Sequence, residues 1–146
     1  MPVRIVADVP LTRPQRVAIG LEILADYLRV RWLLRTSDFQ TAVARLRATP
    51  RCERMEVLEP GGRKARHIAG RLGNLVWKTL RLFPTDSRCL MKALVLTAVL
   101  ARRGLDGDVI IGVKSEPEFT AHAWVEHRGQ ALLPHEEYDE TRLVEV

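Results

Sequence analysis

Cysteine is almost absent: the 146-residue chain holds two, Cys52 and Cys89. Two thiols cannot build the disulfide framework of a small secreted fold, so a reducing, cytoplasmic setting is expected. No run of about 18 uninterrupted apolar residues occurs, which argues against a membrane span. The opening MPVRIVADVPLTRP lacks the charged-then-apolar layout of a secretory signal. Aromatics make up 5% of residues, too few for a stacking platform for single strands. There is no zinc-finger spacing, and Cys89, His122 and His135 make a poor metal set. Internal repeats and low-complexity tracts are missing too. No nucleic-acid partner, metal or other cofactor is therefore expected.

What is present reads as one globular domain over residues 1–146, with 47% hydrophobic and 28% charged residues. The net charge of +5 hides an asymmetry. Residues 1–84 carry 16 Lys and Arg against 7 Asp and Glu, or +9, whereas residues 85–146 carry 7 against 11, or −4. The basic half either attracts nucleic acid, anionic lipid or an acidic peptide, or simply solvates helix surfaces.

Residues 1–83 form a helical half. The spacing predicts a helix over 13–35, capped by Thr12 with Pro14 in its first turn. Val17, Leu21, Leu24, Leu28 and Trp32 recur at helical spacing, as do Ile23, Tyr27 and Val30 beside them. Ser37 to Gln40 has the spacing of a capping box and opens a helix to about Ala48, before Thr49-Pro50. Pro60-Gly61-Gly62 marks a loop. A third helix, 63–82, puts Ile68, Leu72, Leu75, Val76 and Leu80 on one face, weakened by Gly70 and Gly73. Trp32 and Trp77 read as packing residues, His67 as solvent-facing and Cys52 as incidental.

Residues 84–146 differ in kind. Asp86 or Ser87 can cap a helix from Arg88 to Arg103, with Gly104 as terminator. Only Lys92 is charged between Cys89 and Ala101, the mark of a buried central helix. Strand signals follow at Asp108–Val113, Phe119–Glu126 and Gln130–Leu133. The expected class is α+β, a buried helix on a small antiparallel sheet.

Cys89 at a helix start and His122 on a strand supply a thiol near unpaired N–H groups and an imidazole base. Strand alternation puts Thr120, His122, Trp124 and Glu126 on one face and Ala121, Ala123 and Val125 on the other. Trp124 either walls a cleft or is plain core. A free buried cysteine and a hydrogen-bonded core histidine are the structural alternatives to a catalytic pair.

Cys89-Leu90, the run to Gly104, Ile111-Gly112-Val113, Phe119 and Ala121-His122-Ala123-Trp124-Val125-Glu126 resemble the transglutaminase-like cysteine peptidases of lasso-peptide maturation. These are leader peptidases similar to the C-terminal part of the microcin-processing protein. The resemblance covers roughly residues 84–133. It implies a papain-like or transglutaminase-like core with Cys89 as nucleophile and His122 as general base. It also implies a precursor peptide as substrate, a separate leader-binding recognition protein, and a partner lasso cyclase, which alone would use ATP.

One position departs from that pattern. The family usually carries an Asp twelve residues after the histidine, and Pro134 stands there. A three-residue loop, His127-Arg128-Gly129, pairs Glu126 with Gln130 and sets His122 opposite Pro134. Glu136 is then within diagonal reach and is the favoured third member. A two-residue turn would oppose His122 with His135, and Asp139 is the next candidate. Glu136, Glu137, Asp139 and Glu140 also read as a solvated acidic tail. The alternative function is a basic docking module for a leader or partner enzyme, with a vestigial site. Amide transfer from the same acyl-enzyme is a third possibility, since only the acceptor differs.

Overall fold

Thr12 starts the first helix by closing a reciprocal box: Gln15 N–H donates to its hydroxyl, and its own N–H donates to Gln15 Oε1 at 2.8 Å. In the computed structural model, which describes residues 9–52, 59, 61–83, 88–114, 119–132 and 141–145, four helices precede four strands. They are α1 (Arg13–Thr36), α2 (Phe39–Arg47), α3 (Arg63–Leu80), α4 (Arg88–Ala101), β1 (Asp108–Lys114), β2 (Thr120–His127), β3 (Gln130–Ala131) and β4 (Thr141–Glu145). The chain is α+β, as its patterning predicts.

One local expectation is corrected. Asp38, not Ser37, caps α2: its carboxylate accepts the Thr41 N–H at 2.9 Å and the Thr41 hydroxyl at 2.6 Å. Those bonds, the hydroxyl's first, hold the Asp38 carboxyl below its ordinary value. Ser37 instead closes α1, donating its N–H to the Leu33 carbonyl at 2.9 Å. The structure also decides which of the two apolar rows of α1 is buried. Ile19, Ile23, Tyr27, Val30 and Leu33 point into the core, while Val17, Leu21, Leu28 and Trp32 are exposed. Both rows have helical spacing, and periodicity cannot rank two such rows.

α4 is buried on nearly every side, with Ala93, Leu94, Val95, Leu96, Ala98, Val99 and Leu100 fully covered. It packs against α1, α2 and α3 and against β1 and β2. It ends in a Schellman turn: Leu105 N–H donates to the Leu100 carbonyl at 3.0 Å, and Gly104 takes the left-handed φ of +71° that this turn requires. The helix therefore stops at Ala101, two residues short of the expected end, but on the expected glycine. Just beyond it, Arg102 bridges Glu22 (2.6 Å) and Asp26 (2.8 Å), and Arg103 pairs with Glu22 at 2.8 Å. Asp26 and Arg103 are buried, so these pairs pin α1 to the end of α4.

The strands form one antiparallel sheet in the order β3-β2-β1-β4. β4 was not among the expected strands. It pairs Ile110 with Glu145 and Ile111 with Val144, so its extended form is supported by a partner far back in the chain. β3 covers Gln130–Ala131, and Leu132 N–H still bonds the Val125 carbonyl at 2.9 Å. The hairpin before it is a two-residue turn. His127 pairs with Gln130 and Glu126 with Ala131, while Arg128 and Gly129 have φ of 51° and 78°. Two consecutive positive φ values fit a type I′ turn, whose twist suits a tight hairpin. The three-residue loop expected there is thus corrected.

Candidate active site

β2 presents two different surfaces. Ala123 and Val125 join the same apolar core as α4, together with Val109 of β1. His122, Trp124 and Glu126 occupy the opposite face by alternation. Gly112, which has no side chain, stands across from His122 in the β1–β2 register. The indole of Trp124 stacks on the His122 ring, with centroids 5.9 Å apart and planes 20° from parallel. Its Nε1–H donates to Glu126 Oε1 at 2.9 Å. Trp124 is 8% exposed, so it is a buried residue that also touches the imidazole.

Cys89 is the second residue of α4, the helix that packs against β2. The caps proposed for α4, Asp86 and Ser87, lie outside the described residues. The thiol of Cys89 is held below its ordinary pKa by the side-chain hydrogen bond with His122 first of all; half-burial works against this, and the Ala123 N–H, the His122 charge and the Leu90 N–H reinforce it. Sheet geometry explains the Ala123 contact. The Val125 carbonyl accepts from Leu132, so the peptide groups of Val125 and, two residues back, Ala123 face the β3 side.

Cys89 and His122, 33 residues apart in sequence, are therefore brought together. Glu136, Asp139, Pro134 and His135 lie outside the described residues. The register that favoured Glu136 assumed the longer hairpin loop, so that support is withdrawn although Glu136 remains a candidate. His67 is exposed on α3, and Cys52 is a half-buried free thiol whose N–H bonds the Arg102 carbonyl at 2.9 Å. Trp77 is half-buried beneath Arg81 and Lys92, but Trp32 is 59% exposed and does not pack internally. No group of metal-binding side chains is found among the described residues. No helix among them is long and apolar enough to cross a membrane.

A half-buried thiol whose pKa is lowered by a neighbouring imidazole and by backbone N–H groups can form a thiolate and attack an acyl carbon. The same architecture is matched by a family model, the Transglutaminase-like superfamily, over residues 24–145. The chain belongs to that superfamily. The match begins within α1 and takes in the helical half as well as the Cys–His region. Members of this superfamily are generally cysteine peptidases or transferases. Neither the curated proteins nor the solved structures gave a match. The backbone donor at Ala123 was missed from sequence, since a strand's free N–H has no residue-type signature. The contact of Trp124 with the histidine was half visible, in the His-x-Trp-x-Glu alternation.

Proposed function

We propose that this protein is a cysteine peptidase that removes the leader from a ribosomally made lasso-peptide precursor. The supporting observation is the approach of the His122 side chain to the Cys89 thiol, whose pKa it lowers, at the junction of α4 and β2 in a chain of the transglutaminase-like superfamily. The Cys89 thiolate attacks the carbonyl carbon of the scissile peptide bond and forms the C–S bond. The tetrahedral oxyanion collapses, the C–N bond breaks, and the imidazolium of His122 gives its proton to the leaving amine. Water, deprotonated by His122, then hydrolyses the thioester to a carboxylate and frees the thiol. Trp124 limits rotation of the imidazole by stacking on it. Glu136, or failing that Asp139, completes the site as orienting carboxylate.

In this reading a separate leader-binding protein presents the precursor and a lasso cyclase consumes the product. A reducing cytoplasm keeps the thiol usable. The test is mass spectrometry of a cognate precursor incubated with the protein, with and without the leader-binding partner, beside Cys89→Ala and His122→Ala. One defined cut, lost in both variants while their circular dichroism is unchanged, is the expected result. Full cleavage by Cys89→Ala rules the mechanism out. A folded wild type that makes no cut with its partner present shifts the reading to a docking module.

A further inference from the structure

α1 is apolar on two opposite faces. Its inner face is core, but Val17, Leu21, Leu28 and Trp32 on the outer face are exposed by 62, 62, 66 and 59%. Spacings near multiples of 3.6 put these four on one stripe, with the half-buried Leu24 in line. At a rise of 1.5 Å per residue the stripe is about 22 Å long. Isolated exposed leucines are ordinary, but a row running over four turns marks an interaction surface.

Charge identifies the occupant. Both carboxylates of α1, Glu22 and Asp26, are turned inward and paired with Arg102 and Arg103. Every exposed charged residue of α1 is consequently an arginine: Arg13 and Arg16 at one end of the stripe, Arg31 and Arg35 at the other. We propose that this face docks an acidic amphipathic helix of another protein, with apolar side chains on the stripe and carboxylates against the arginines at its ends. A second copy of the chain does not fit, because α1 against α1 opposes arginine ends in either orientation. An anionic bilayer fits less well, because surface-lying helices carry cations along their flanks and here they sit at the ends. The surface does not involve Cys89 and extends beyond the peptidase reading.

The probe is a synthetic helical peptide of about 21 residues with leucines at heptad seam positions and glutamates at both ends. Its companion has lysines in place of the glutamates. Binding is followed by anisotropy on the wild type and on Cys89→Ala, which separates this surface from catalysis. The glutamate peptide should bind both proteins at least about tenfold tighter than the lysine peptide, and more weakly as salt rises. Leu21→Ser with Leu28→Ser should abolish binding while the helical circular dichroism is retained. Arg13→Glu with Arg35→Glu should reverse the preference to the lysine peptide, which misfolding cannot mimic. Equal binding of the two peptides, or of neither, overturns the proposal. So does preferential binding to anionic phospholipid vesicles, or a dimer in sedimentation that Leu28→Ser dissolves.

Discussion

Cys89 shows what a position contributes beyond a residue type. Its thiolate is favoured by the His122 side chain above all, and burial opposes it. Because the folded-state value lies below the ordinary thiol pKa of about 8.5, the reactive form appears at lower pH than in a free thiol. In a Cys52→Ser background, the alkylation rate by iodoacetamide should therefore rise through a midpoint below that of a cysteine peptide. Adding His122→Ala should move the midpoint upward and slow alkylation at neutral pH. An unchanged midpoint would separate the histidine from the thiol. Both members of the pair were legible in sequence as a helix-start thiol and a strand imidazole. The orienting carboxylate was not, because its assignment hung on one residue of hairpin length, and adding one residue changes every partner on the strand.

Helices and strands meet here through small residues and buried charge. A Cβ added to Gly73 would collide with the Leu132 carbonyl oxygen, so α3 meets the chain just past β3 backbone to backbone. Gly73→Ala should lower stability by about 1–3 kcal/mol despite its better helix propensity. At Gly70 nothing lies within 4 Å, and Gly70→Ala should raise stability by roughly 0.5–1 kcal/mol. Urea denaturation of the two variants checks both signs. Two glycines that weaken one helix equally in sequence thus have opposite roles in the structure.

The ion cluster at the end of α4 behaves differently from surface pairs. Asp26→Asn strips a charge partner from Arg102 in a buried site and should cost on the order of 3 kcal/mol. Burial alone would raise the Glu22 carboxyl, but Arg103 and Arg102 outweigh it and hold it below its ordinary value. A depressed carboxylate stabilises fully above its unfolded-state value, about 4.3, and loses that contribution as pH falls through the folded-state value. The stability gap between wild type and Glu22→Gln should therefore be widest near neutrality and shrink on acidification, as measured by thermal unfolding at several pH values. Nothing in the arginine-rich sequence separated Arg102 and Arg103 from the solvated arginines.

Across the molecule, one apolar core draws on α1, α2, α3, α4, β1 and β2, with α4 shared by the helices and the sheet. Neither half can bury its apolar face without that helix. Far-ultraviolet circular dichroism, which follows the helices, and near-ultraviolet signals from Trp124 on the sheet should therefore lose structure in one coincident transition. Two separated transitions would mean that residues 1–83 and 84–146 fold as separate units. The superfamily match across both halves accords with a shared core.

By itself the sequence determined the α+β class, the order of the four helices, the burial of α4, its Gly104 terminator, and Cys89 and His122 as candidates. Each is written locally, in periodicity, capping residues or a helix-start thiol. Only the tertiary structure decided which apolar row of α1 faces inward, that Asp26 and Arg103 are buried together, that β4 joins β1, and that Ala123 offers its N–H to the thiol. Those outcomes depend on which surfaces meet across long sequence separations, and packing energy, unlike local propensity, belongs to pairs of elements.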